Sequence, residues 1–434
     1  MAVLRKACSL LAIFFSNPQV TLRLITWARV KNACRVVFMR QGNLGLLLQR
    51  YGAIYNIAPA PMGHTCQQAK GNYTGDIVFF PAIDWGFRFQ RPQHLARELG
   101  ARGFRVFYIS TVPLLVLGRM DYLIQGEPVP GVVLVQLSSG SFRTLDFYRE
   151  EMMDGEAAGF LRAYEALRRD FDVERPSVLV QQPFWWPLVS QLEKSKLVYD
   201  CLDHHAGFHD QPNQRLIEAE RKLIEASDDV VATSAGLAED VRNARSCHLI
   251  RNGCEYMRFS QVTRVKSSAR PIIGYVGAVS EWFDGQLLFE AAQAKPEWQF
   301  DVYGATVGAD ISLARALPNV NFFGEITYES VPSAIAHFDV CMIPFRIIPL
   351  TLATNPVKVY EYLASGRPVV SSLLPELVGM EDIDVFCAGS TADFITKIEL
   401  ALDLAGQSDR IRMRQEFAQN NDWSKRVDEL VPLL

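Results

Sequence analysis

Residues 354–372 read Thr-Asn-Pro-Val-Lys-Val-Tyr-Glu-Tyr-Leu-Ala-Ser-Gly-Arg-Pro-Val-Val-Ser-Ser. Lys358 and Glu361 stand three positions apart, one turn of a helix, and so share a face. A cation in the first turn opposes the helix dipole, which favours anions there. It fits if an anion is bound, and the free N–H groups of a helix start already attract one. A carboxylate one turn on can accept two hydrogen bonds together, which suits the paired hydroxyls of a ribose. The two residues can therefore hold the diphosphate and ribose of a nucleotide. The same spacing also fits a solvated salt bridge.

The flanking residues predict the element that carries them. Asn355 is a good N-cap, with Pro356 at the first helical position. Gly366 can take the left-handed conformation at the C-terminus, and Pro368 stops continuation. A short helix near 356–364 then leads into a buried strand, Val369–Ser372.

The rest of the chain after Asp76 alternates strand and helix. Predicted strands are Ile77–Pro81, Phe104–Ser110, Val132–Leu137, Ser177–Gln181, Leu197–Asp200, Val230–Thr233 and His248–Arg251. Helical patterns fall from Arg91 to Gly103 and near 150–169, 213–226 and 235–244. Residues 260–270 are polar and unpatterned, a linker. The alternation then restarts with strands Ile272–Val276, Trp298–Tyr303, Val320–Phe323 and Val340–Ile343, and ends in helices after Thr391. Near-continuous apolar strands alternating with helices indicate parallel sheets. Two successive doubly wound α/β domains leave a cleft between them, where small-molecule sites form.

Composition narrows the classes. Hydrophobic residues are 49% and charged residues 21%, which excludes a disordered or collagen-like chain. A net charge of −4 gives no global reason to bind nucleic acid. Cys8, Cys34, Cys66, Cys201, Cys247, Cys254, Cys341 and Cys387 are scattered without a C-x-x-C pair, which argues against a zinc cage and fits reduced thiols. Neither G-x-G-x-x-G nor a P-loop is present.

The charge is unevenly spread. Residues 1–75 hold nine basic residues and no acidic one, so residues 76–434 carry −13. The apolar run 7–15 is too short to span a bilayer, which needs about 20 residues. No transmembrane helix is expected. Residues 19–40 mix basic and apolar side chains, with Trp27 and Phe38 available for an interface. Such an arm can lie on an anionic membrane or pack on the body as a helical extension.

The segment around Lys358 and Glu361 resembles the donor-binding helix of GT-B glycosyltransferases, specifically the retaining family 4. Asp84–Ala96 resembles the first loop and helix of its bacterial polysaccharide-type subgroup. Tyr199–Asp203 with His204-His205, Asn252-Gly253, and Gly274–Ala278 with Trp282-Phe283-Asp284 also match. The resemblance covers roughly residues 76–425. It implies a basic helical extension over 1–75, a Rossmann-like acceptor domain over 76–259, a linker over 260–270, and a Rossmann-like donor domain over 271–434 whose terminal helix returns to the first. It implies sugar transfer from a nucleotide-diphospho-sugar to a glycan or lipid-linked acceptor in surface polysaccharide synthesis, without metal or other cofactor, at the cytoplasmic membrane face.

On this resemblance Gly86, Gly277, Arg346, Lys358 and Glu361 would bind the donor. Asp203, His204 and His205 would orient or deprotonate the acceptor hydroxyl. Two departures stand out. The family's first motif carboxylate falls on Ala353, and its Arg and Lys after the first donor-domain strand are absent from Ala278–Gly285. Arg346 and Lys358 are the substitutes, with Arg88 across the cleft a weaker candidate. His94 reads as structural. The aromatics of Gln181–Trp186 fit sugar stacking or core packing equally. Asp170-Phe-Asp172 and Asp382-Ile-Asp384 read as surface turns. The same fold would also serve a nucleotide-sugar epimerase or a non-catalytic nucleotide-sugar-binding scaffold.

Overall fold

The computed structural model describes residues 73–114, 121–141, 147, 150–207, 213–265 and 269–434. The expected basic extension therefore lies outside the described residues up to position 72. Two sheets organise the remainder. The first runs β3-β4-β2-β1-β5-β6-β7-β8. Its strands are β1 (Asp76–Phe80), β2 (Arg105–Ile109), β3 (Tyr122–Val129), β4 (Val132–Leu137), β5 (Ser177–Val180), β6 (Lys196–Cys201), β7 (Asp229–Ala232) and β8 (His248–Leu249). The second runs β11-β10-β9-β12-β13-β14. It comprises β9 (Ile272–Val276), β10 (Gln299–Tyr303), β11 (Val320–Gly324), β12 (Val340–Ile343), β13 (Val369–Ser372) and β14 (Val385–Ala388). Every strand pair is parallel except β3 with β4.

Central strands form where the sequence is apolar on both faces. Val340, Cys341, Met342 and Ile343 are all fully buried. Burying an aliphatic side chain of this size contributes about 1.5–3 kcal/mol, and helices on both sheet faces make that burial two-sided. The expected doubly wound halves are thus present.

The C-terminal helix α4 (Trp423–Leu430) crosses back to the first half. Trp423, Val427 and Leu430 share a core with Ile77, Leu95 and Leu99. The outgoing and returning segments run side by side. Cys254 N donates to Asn421 O at 3.3 Å and Trp423 N donates to Cys254 O at 3.1 Å. Gly253 permits this approach, because a β-carbon there would lie 2.5 Å from Asn421 O. Among the described residues no helix is long and apolar enough to cross a membrane.

Candidate functional site

Helix α3 (Val357–Ala364) buries Val359, Tyr360, Tyr362, Leu363 and Ala364, leaving Lys358 and Glu361 half-buried on the remaining face. Its start lies one residue later than expected. Pro356 is the N-cap, and Asn355 caps nothing. The Asn355 side chain instead accepts from Asn252 N at 2.9 Å and exchanges bonds with Tyr360 Oη at 3.2 Å. The C-terminal end follows expectation: Gly366 is left-handed at φ +71°, and Gly366 N and Arg367 N close on Leu363 O and Tyr362 O.

Tyr362 fastens α3 to the second sheet. Its hydroxyl accepts from Val276 N at 2.9 Å, at the carboxyl end of β9. One turn earlier along the helix, Lys358 therefore lies over the next residue of that strand, Gly277. The position must be glycine: φ is +152°, and a β-carbon would sit 2.2 Å from Lys358 Cε. Gly304, at the end of β10, meets Gly277 from the other side; a β-carbon there would lie 1.7 Å from Gly277 O. Bare backbone thus lines the strand ends beneath the lysine.

The ammonium of Lys358 stands 5.5 Å from the Tyr275 and Phe345 ring centres, a cation–π arrangement. Among the described residues neither Lys358 Nζ nor the Glu361 carboxylate has a hydrogen-bond partner, and no ion pair joins them. The solvated salt bridge is not what forms. Burial pulls the Lys358 pKa down, with Glu361 opposing and Arg88 adding to the fall. Burial pushes the Glu361 pKa up, with Lys358 opposing. A cation and a carboxylate held in a poorly solvated cleft without partners are poised to take a ligand that carries charge and hydroxyls.

The other expected donor residues fall nearby or apart. Gly86 lies in the exposed loop before helix α1 (Arg91–Ala101), where its N–H donates to Asp84 Oδ1 at 3.2 Å. No tight steric contact demands glycine there. Arg346 follows the lysine-facing Phe345, but its guanidinium donates to Glu281 O at 3.2 Å. With Asp284 and Asp310 it lines a separate cavity of about 220 Å³. Beyond Gly304 a groove of about 410 Å³ runs past Thr306, Arg315, Phe322 and Gly324. Phe323, half exposed on its wall, stacks on Tyr303 with centroids 4.4 Å apart.

Asp203, His204 and His205 follow β6 at its carboxyl end. His205 is 6% exposed and its Nε2 lies 4.0 Å from Glu220 Oε1, on helix α2 (Gln214–Ala226). Burial pulls the His205 pKa down to about 4 and pushes that of Glu220 up to about 7. Burial also raises the Asp203 pKa. Burial thus disfavours the protonated imidazolium of His205. His204 Nδ1 is buried without a hydrogen-bond partner among the described residues. It borders Gly207, which in turn approaches Leu350 of the second half. Just past the neighbouring strand β5, the Gln182 amide is fully buried and equally unpartnered among the described residues. Sequence reasoning missed Gln182, whose signal was only its place after a strand.

His94 is fully buried, stacked on Trp423 at 4.8 Å and edge-on to Phe89, which is a packing role. Phe184 and Trp185 lie in the core, not on a sugar face. Asp384 corrects the expected surface turn: it is buried at φ +61° and paired with Arg410 and Arg414. Ala353, where the family carboxylate was expected, is 8% exposed and packs into the core of the first half. Also missed was the buried bidentate pair of Arg91 with Asp200, at 2.9 and 2.8 Å, since its partners lie far apart in sequence.

Comparison with known proteins agrees with this architecture. Residues 270–403 match the family model described as glycosyl transferases group 1. The chain is 29% identical over 266 residues to a Bacillus subtilis (strain 168) protein named for teichuronic acid biosynthesis, the glycosyltransferase TuaH. That match covers 55% of this chain and 67% of TuaH. Among solved structures, sucrose-phosphate synthase from Thermosynechococcus elongatus superposes with a TM-score of 0.65 at 17% identity. It covers 83% of this chain and 98% of the synthase. A glycosyltransferase from Rickettsia africae gives 0.56 at 15% identity, covering 84% and 98%. The fold is GT-B. The residues that match the group 1 model hold the second of the two sheets.

Proposed function

We propose that this chain transfers a sugar from a nucleotide-diphospho-sugar to a hydroxyl of a growing cell-surface glycan or lipid-linked acceptor, with retention of configuration. One observation carries the donor reading: Lys358 and Glu361 share one face of α3, half-buried and without hydrogen-bond partners among the described residues, over the bare backbone of Gly277. The diphosphate lies at the start of α3, where free N–H groups and Lys358 offset the charge that develops on the leaving group. Glu361 accepts the ribose hydroxyls. The base extends past Gly304 into the groove walled by Phe323. Lys358 and the helix start supply the neutralisation that a metal would otherwise give.

The acceptor reading rests on the first half. Among the described residues, His204 and Gln182 present unpartnered buried polar atoms past adjacent strand ends, and such atoms are costly unless something bonds them. There the half-buried His204 can receive and orient a hydroxyl. The relative TuaH, named for teichuronic acid biosynthesis, supports a glycan acceptor. The basic arm supports work at an anionic membrane face.

The test is calorimetry with nucleotide-sugars, followed by product analysis with acceptor glycans. Binding of a nucleotide-sugar that is lost in Lys358→Ala and in Glu361→Ala is expected. Unchanged affinity in both variants would sink the donor site. For the membrane face, the full chain should sediment with anionic vesicles and be released by salt; an arm-deleted chain that sediments equally well refutes that part.

A further inference from the structure

A nucleoside diphosphate ester carries two negative charges, and Lys358 supplies one positive charge. The loop after β9 holds no cation between Ala278 and Gly285, and Arg346 is turned onto Glu281. The structure offers a second cation from the other half of the molecule. Arg88 sits in the loop before α1, close enough to Lys358 to depress its pKa and to reach Tyr275 electrostatically.

That loop is held rigidly toward the second half. Gln93 Nε2 donates to the main-chain oxygens of Asp84, Trp85 and Arg88 at 3.1, 3.3 and 2.7 Å. Phe89 stacks on Tyr328, with centroids 5.5 Å apart and planes 22° from parallel. The Arg88 side chain is thereby delivered across the cleft, where Nε donates to Glu325 Oε1 at 2.8 Å. Glu325 follows Gly324 at the end of β11, beside the groove assigned to the base.

The pair is a weak holder. Its side chains are 27% and 41% exposed, and ion pairs so open to water contribute little. A guanidinium gains more from a phosphate, which it engages bidentately. We propose that Arg88 is the second cation of the donor-diphosphate site, parked on Glu325 until the diphosphate takes that carboxylate's place. The exchange draws the two halves together over the donor and ties closure to the presence of both phosphates. This rests on the nucleotide-sugar reading above.

Calorimetry on the full chain tests it, using UDP, GDP, ADP and dTDP and the matching monophosphates as probes. Arg88→Ala should weaken diphosphate binding about tenfold and leave monophosphate binding nearly unchanged. Arg88→Lys should recover part of the loss. Glu325→Gln should tighten diphosphate binding, because the competing carboxylate is gone. A mere strut between the halves predicts the reverse for Glu325→Gln. Weakening by Glu325→Gln, or unchanged diphosphate affinity in Arg88→Ala, overturns the proposal while leaving the donor site standing. A wild-type chain that binds none of the nucleotides overturns both.

Discussion

Asn252 and Asn355 clasp each other across the two halves. Asn252 N donates to Asn355 Oδ1 at 2.9 Å, and Asn252 Nδ2 donates to Asn355 O at 2.7 Å. Arg91 Nη1 adds a bond to Asn252 Oδ1 at 3.3 Å. The start of α3 is thus tied to the buried Arg91–Asp200 pair of the first half. Asn355→Ala would leave buried donors unpaired, costing about 2–3 kcal/mol. The urea midpoint should fall accordingly and nucleotide affinity should drop with it. An unchanged midpoint would show that the clasp holds nothing.

Gly277→Ala tests the seat of the lysine. The substitution forces a side chain into a positive-φ backbone, at about 1–3 kcal/mol of strain, and its β-carbon displaces the end of Lys358. Nucleotide affinity should fall about tenfold with the circular dichroism spectrum retained. Wild-type affinity in the alanine variant would mean that Lys358 need not lie there.

Nucleotide affinity should depend on pH in a bell. In the proposed site Lys358 would hold phosphate when protonated, and burial lowers its pKa to about 8, so affinity should fall as pH rises through 8. Glu361 would accept the ribose hydroxyls when ionised, and burial raises its pKa to about 7, so affinity should also fall as pH drops below 7. The two limbs belong to the coupled pair and not to either residue singly. Titration calorimetry from pH 5.5 to 9.5, as a test range, checks this, and Lys358→Arg should remove the alkaline limb. A flat profile would place the nucleotide elsewhere.

The two histidines should separate. His204→Ala should lower turnover by about 10²-fold or more, as loss of a group that orients or deprotonates the hydroxyl does, without changing donor affinity. His205, packed beside Glu220, should act mainly through stability: His205→Ala lowers the melting temperature. Steady-state kinetics beside thermal unfolding distinguishes them; equal turnover in wild type and His204→Ala refutes the acceptor assignment.

The strands buried on both faces were legible, because two-sided burial leaves an uninterrupted apolar run. Val132–Leu137, Val340–Ile343 and Val369–Ser372 match to the residue. β3 was not, since Tyr122–Val129 faces solvent and contains Gly126 and Pro128. β14 is four residues long and follows an aspartate that looks like a turn. At the site, Lys358 and Glu361 could be read because spacing along one helix is local information. The Arg91–Asp200 pair, the Asn252–Asn355 clasp and the meeting of Gly277 with Gly304 join residues from separate elements, and only the fold brings them together.

The paired crossings at Cys254 and Trp423 also bear on how the molecule can move. A door hung on two adjacent pins swings about a single line. Opening and shutting around a substrate should therefore be one rotation about that seam, and trimming the final dozen residues would remove a pin and unroof the tryptophan's socket together.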